Sequence, residues 1–221
     1  MNEGSGGNAT SLVRLAMKQE INPQETNRRE AFELWMKSPN PMVTLTKTFD
    51  VKRMERLGRR KGLKFNMLLC WCIGKAASEM EEFYLLPIQG KLYQFDRLGI
   101  NVIVNNRKGG ISLCDVPFSD DLEQFNADYV ALTESTSHSC ENVVLDDVMV
   151  IGTSAMTAIE LDSVTNQYSG IYNNPFLAWG KIRKNWLKTT LPISFQFHHS
   201  QMDGGHAARF LENLQKTMKT I

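Results

Sequence analysis

Apolar positions recur along this chain at two periods, and the periods divide it into strands and helices. Leu191, Ile193, Phe195 and Phe197 stand at every second position, which predicts a half-buried strand over 191–197. The alternating stretch Pro41–Phe49 predicts another, and shorter strands are expected at Lys91–Asp96, Asn101–Val104, Ile111–Val116 and Val148–Ile151. Phe176–Ile182 and Leu187–Phe197 flank Arg183–Trp186 as the arms of a hairpin. Helical spacing predicts Arg28–Trp35 behind a Thr26 or Asn27 cap, then Asp50–Lys61, a buried helix from Leu63 to Met80, Asp120–Thr133, and Ala207–Lys216. Strands interleave with helices, and short hairpins join several of them. That pattern predicts an α/β (α+β) domain with a mixed β-sheet flanked by helices.

Length permits one domain with a full core, expected over 21–221. Residues 1–20, Gly/Ser-rich at Met1–Asn8, are expected to be disordered or loosely attached. With 25 basic and 24 acidic residues, net +1, charge makes no case for nucleic acid or a membrane surface. No apolar run approaches the roughly 18–20 residues of a membrane span, and Met1–Asn22 carries no signal peptide, so a cytoplasmic protein is expected. Cys70, Cys72, Cys114 and Cys140 have no metal spacing and read as buried thiols. The basic residues of Asp50–Lys61 read as a solvated face.

The chemistry concentrates in Phe197-His198-His199-Ser200-Gln201-Met202-Asp203-Gly204-Gly205-His206, between the last strand and the last helix. A histidine at a strand end, with an aspartate four residues on, suits proton transfer near neutral pH. The same residues also fit an ordinary histidine pair followed by an Asp-Gly-Gly turn. Metal binding by His198, His199, Asp203 and His206 is disfavoured, because neighbouring strand residues point to opposite faces.

His-His-x-x-x-Asp-Gly, entered from a strand and followed by a helix carrying Phe210-Leu211 and Leu214-Gln215, resembles the active-site signature of the chloramphenicol acetyltransferase family. Lipoyl-dependent acyltransferase cores and peptide-synthetase condensation domains share that signature. Further landmarks follow in order over 27–215: Arg28 at the entry helix, Lys64-Phe65 opening the buried helix, Ser154-Ala155, and Lys181. The resemblance implies a two-layer sandwich that assembles as a homotrimer with sites between subunits. It implies acetyl-CoA as co-substrate, a small hydroxyl compound as acceptor, and no metal. His199 would be the general base, and Ser154 the donor to the tetrahedral oxyanion, with Thr153 and Thr157 as rivals. Arg28 would pair with Asp203 to support the loop, Lys64 and Lys181 would lie near coenzyme A, and His198 would serve packing.

The acceptor side departs from the family pattern. Val43, Ile111 and Val164 stand where the family has phenylalanines, and Trp35 stands where it has tyrosine. Ile100, Ala158 and Ala178 replace a glutamine, a tryptophan and a threonine. Aliphatic side chains do not offer the stacking faces of rings, so chloramphenicol itself is expected to be a poor acceptor or none. A lipoamide acyltransferase, disfavoured because no lipoyl-type segment with a Pro/Ala linker precedes the domain, and a non-catalytic binding relative are the other readings.

Overall fold

The computed structural model describes residues 18–221. The expectation of a loose segment over 1–20 therefore lies, for residues 1–17, outside the described residues. Lys18–Glu20 are not loose, because they belong to β1 (Lys18–Ile21) and pair with β4 (Lys91–Phe95). With β3 (Leu85–Ile88), β1 and β4 form a small antiparallel sheet in the order β1-β4-β3.

The larger sheet has the order β2-β10-β8-β7-β5-β6, with β9 paired to β10. Its members are β2 (Met42–Asp50), β5 (Leu98–Asn105), β6 (Ile111–Pro117), β7 (Met149–Ala155), β8 (Phe176–Trp179), β9 (Arg183–Lys184) and β10 (Thr189–His198). β7 runs parallel to both β5 and β8, and the remaining pairs are antiparallel. The mixed sheet expected from the interleaved pattern is present. Helices α3 (Phe65–Ser78), α4 (Leu122–Ser139) and α5 (Gly204–Thr220) pack on it, α2 (Lys52–Lys61) packs against α3 and α5, and α1 (Arg29–Trp35) precedes β2.

The alternation in β10 sets its two faces. Leu191, Ile193, Phe195 and Phe197 are fully buried in the main core, where Phe195 packs against Phe83 and Phe210. The opposite face is also buried, contrary to the half-buried expectation. The segment after β7 covers it: Val164 N–H donates to Ser194 Oγ at 2.8 Å, and Gln196 Nε2 donates to Asn166 O at 2.9 Å. Polar residues on a strand face thus signalled a hydrogen-bonded cover rather than solvent.

Boundaries moved where capping chemistry decided them. α4 starts at an Asp121 cap and runs on to Ser139, well past Thr133. α1 has no side-chain cap, because Arg28 at the capping position turns its guanidinium elsewhere. α2 ends at Gly62, whose φ of +69° suits a residue without Cβ. Cys70, Cys72 and Cys114 are buried, and burial pushes Cys70 up to about 12, so these thiols stay protonated. Among the described residues no helix is long and apolar enough to cross a membrane, and no cluster of His, Cys, Asp or Glu could hold a metal ion.

Candidate active site

β10 carries the chain through the sheet and releases it at His198. His198 points to the covered face, is 1 % exposed, and accepts the Ser200 N–H at Nδ1 (3.1 Å). Burial, with the neighbouring His199 charge a lesser cause, pushes its imidazole down to about 4, so it stays neutral. Tyr168 meets its ring edge-on. This histidine is packing.

His199 sits just past the strand end, half-buried, with its N–H donating to Pro41 O at 2.8 Å. Its ring lies flat on Trp35 of α1, with centroids 4.2 Å apart and planes 6° from parallel. Nδ1 is buried without a hydrogen-bond partner, whereas Nε2 is not sealed in this way.

Arg28 holds the turn that follows. It is 5 % exposed and donates three times: to His199 O at 2.9 Å, to Ser200 O at 3.2 Å and to Asp203 Oδ2 at 3.2 Å. The planar fork of a guanidinium suits such convergent acceptors. Asp203 also caps α5, accepting from the N–H groups of Gly205 and His206, while His206 Nδ1 accepts the Asp203 N–H in return. Burial alone would push the Asp203 carboxyl up. The His206 N–H and imidazole and the Arg28 guanidinium outweigh it and hold the group below its ordinary value. His206 continues the chain of contacts to the buried Glu82 at 3.0 Å, which also receives Arg209 at 2.8 Å. Sequence reasoning did not anticipate Glu82, although the Asp203/His206 spacing is a legible capping signal.

Ser154 lies on β7, half-buried, on the same face as Ser194 of β10, since Ser154 pairs with Ala178 and Ala178 with Ser194. Its rival Thr153 points into the core and donates to Asn101 O at 2.6 Å. Thr157 is exposed beside the cleft described below. Within one chain Ser154 does not meet His199. Two strand spacings and five residues along β10 separate them, roughly 19 Å between Cα atoms.

Lys64 and Lys181 do come together. They line one cleft of about 600 Å³ with Phe65, Tyr129, Trp179 and Lys184. Lys64 occupies the capping position of α3, so the helix N-terminus opens beside it. Lysines next to free helical N–H groups suit a phosphate.

The acceptor candidates divide. Trp35 touches His199, and Val43 is nearby on β2, opposite Phe197. Val164 lies over Ser194, in the covering segment. Ile111 is 65 % exposed on β6, at the far edge of the sheet from β2. These four form no single pocket in one chain, because the sheet order sets Val43 and Ile111 on opposite edges.

A strand-end histidine, a buried arginine fixing the following turn, and a lysine-lined cleft lie on one mixed sheet, and comparison with known proteins places the chain among the acyltransferases. A solved chloramphenicol acetyltransferase matches the fold with a TM-score of 0.79 at 20% identity, over 91% of this chain and 100% of that one. The Azotobacter vinelandii dihydrolipoamide acetyltransferase matches with a TM-score of 0.66 at 18% identity, over 88% and 86% of the two chains. The family model for chloramphenicol acetyltransferase matches residues 18–215, and the chain belongs to that family. Curated relatives include chloramphenicol acetyltransferase 2 of Escherichia coli, 25% identical over 86% of this chain and 91% of the relative. The chloramphenicol acetyltransferase of Clostridioides difficile is 26% identical over 90% and 94%.

Proposed function

We propose that this acyltransferase is a cytoplasmic homotrimer that moves the acetyl group of acetyl-CoA onto a hydroxyl of a small molecule, with His199 as general base. The observation that carries the reading is the presentation of His199: backbone fixed by Arg28 and Pro41, Nδ1 turned inward, Nε2 left reachable. Nε2 takes the acceptor's hydroxyl proton as the oxygen attacks the thioester carbonyl, help worth about 10²–10⁴-fold. The tetrahedral oxyanion receives a hydrogen bond from Ser154, worth about 10²–10³-fold. Collapse then breaks the carbon–sulfur bond, and the imidazolium returns its proton to the departing thiolate. Lys64 and Lys181 hold the phosphates of coenzyme A through charge and the α3 N-terminus.

The intrachain gap between His199 and Ser154 supports a site built by two subunits, with the histidine from one and the serine from its neighbour. Ile111 and Val43, on opposite sheet edges, are then brought together across the same interface. The relatives' names carry chloramphenicol as the acceptor. Val43, Ile111 and Val164 remove rings from the pocket, so a differently shaped hydroxyl compound is the better fit.

Subunit mixing tests this directly. His199→Ala and Ser154→Ala are each assayed for thiol release from acetyl-CoA against a panel of hydroxyl acceptors that includes chloramphenicol. The two inactive variants are then refolded together. Each mixed trimer regains one whole site if the residues come from different subunits, so turnover returns. Turnover undiminished in His199→Ala would exclude that histidine as the base, and no recovery on mixing would exclude the shared site.

A further inference from the structure

We infer that a basic strip beside the lysine-lined cleft docks an acidic protein carrying the acyl group on a phosphopantetheine arm, so that the thioester arrives tethered as well as on free acetyl-CoA. The inference rests on the reading of the cleft as the seat of that arm. Two elements build the strip. Helix α2 carries six basic residues against Glu55 alone, and the hairpin over 181–188 carries four basic residues and no acid. The whole chain is only +1, so the remainder of the molecule is net negative. Met54, Leu57 and Gly58 bury the other face of α2 against α3 and α5. Lys184 forms an ion pair with Glu55, and Lys52 Nζ donates to Leu187 O at 3.1 Å, so the hairpin lies alongside the helix. Both elements also reach the cleft: Lys181 and Lys184 line it, as does Lys64, three residues beyond the end of α2.

Free coenzyme A does not account for this charge. Its phosphates are met by Lys64, Lys181 and the N-terminus of α3, whereas the ten residues of α2 carry positive charge about 15 Å along the surface. A merely solvated helix face does not account for it either. Arg56 stands one turn from Arg59 and Arg60, a spacing at which like charges repel, and among the described residues Arg56, Arg60, Lys61 and Lys188 have no ion-pair partner. An anionic surface relieves that repulsion. At the hairpin tip Trp186 is 89 % exposed, with Leu187 exposed beside it. An aromatic anchor ringed by arginines and lysines has the composition of a protein interface, and arginine clusters recognise acidic segments. Adjacency to the cleft selects the partner, because an acidic carrier seated on the strip delivers its arm at the mouth. The reaction is unchanged: the acceptor oxygen bonds to the acyl carbon, the carbon–sulfur bond to the carrier's arm breaks, and the hydroxyl proton passes through His199 to the thiolate.

The test compares three donors of one thioester: acetyl-CoA, untethered acetyl-phosphopantetheine, and a purified acidic acyl carrier protein acetylated on its arm. Thiol release is followed with the same panel of hydroxyl acceptors. At low ionic strength kcat/KM for the acetylated carrier should exceed that for acetyl-phosphopantetheine by about 10- to 100-fold, and salt should erode the advantage. No advantage would overturn the proposal. Arg56→Glu combined with Arg60→Glu should remove about 10-fold or more of the carrier's kcat/KM, and Trp186→Ala about 5- to 30-fold. The same variants should keep kcat/KM for acetyl-CoA within about 2-fold, which also shows that they fold. Equal losses on both donors would overturn the docking role. Binding of the fluorescently labelled carrier, weakened by the same substitutions, gives a readout independent of the acceptor. Vesicles containing about one-third phosphatidylserine form the last arm: binding to them that the double variant loses, with no carrier advantage, would assign the strip to a lipid surface and overturn the proposal. Intact carrier binding without any turnover of acetyl-CoA would instead overturn the acetyl-CoA reading.

Discussion

Arg28→Ala removes the side chain on which the site's backbone depends. Three charge-assisted hydrogen bonds are lost, to His199 O, Ser200 O and Asp203 Oδ2. Hydrogen bonds to charged groups contribute about 1.5–3 kcal/mol each, but they share one side chain and do not add. The Asp203 side chain is 43 % exposed, so water screens that contact and it contributes no more than about 1 kcal/mol. The two carbonyls lie beside a guanidinium that is 5 % exposed, and they bear most of the loss. The expected total is about 3–4 kcal/mol, a large share of the roughly 5–15 kcal/mol typical of a domain. Urea unfolding at fixed protein concentration should show the midpoint falling by about 1–2 M with an unchanged slope. Turnover should fall as well, because the strand end that presents His199 is no longer anchored. A double-mutant cycle with Asp203→Asn should return a coupling of about 0.5–1 kcal/mol. A total loss below about 1 kcal/mol would refute the assignment of Arg28 as the anchor.

Stability should also depend on His198 in mildly acid solution. Its folded value is pushed from 6.5 down to about 4, so between these values the unfolded chain binds the proton and the native chain does not. Stability is therefore fully present above about pH 6.5 and is lost as pH falls towards 4, by up to roughly 3 kcal/mol. His198→Asn should flatten that slope, and an unaltered pH dependence would contradict it. Lys64→Ala and Lys181→Ala should each raise KM for acetyl-CoA about 2- to 5-fold with kcat nearly unchanged; a loss confined to kcat would remove them from the binding role. Gly180→Ala places a Cβ 2.7 Å from the Ile159 carbonyl, a backbone atom that cannot swing aside. It should lower stability by about 1–3 kcal/mol, visible as a lower melting temperature, and a neutral melt would argue against this close approach.

Local sequence was sufficient where a single period or cap governs the outcome. The alternation of Leu191 to Phe197 fixed which face of β10 enters the core, because strand side chains alternate whatever lies around them. The helical spacing through Leu63–Met80 located α3, since a stretch apolar on nearly every side has to be buried. Arg28 and Asp203, 175 residues apart, could be paired beforehand only through the family likeness, and the structure holds them at 3.2 Å. Strands β1 and β3 were missed because each is four residues long and takes its order from β4 rather than from its own pattern.

What the tertiary structure alone decided is which chemistry-bearing groups meet. Sequence places Ser154 and His199 in one list of site residues, but the strand order puts Ser154 two strands from β10, level with Ser194 and so five residues before His199. Sequence makes Trp35 a wall of an acceptor pocket, and the fold lays it flat against an imidazole. Periodicity is a property of neighbours along the chain, so it is legible there. Proximity between α1, β7 and the end of β10 depends on how the sheet is threaded, and no local window contains that information.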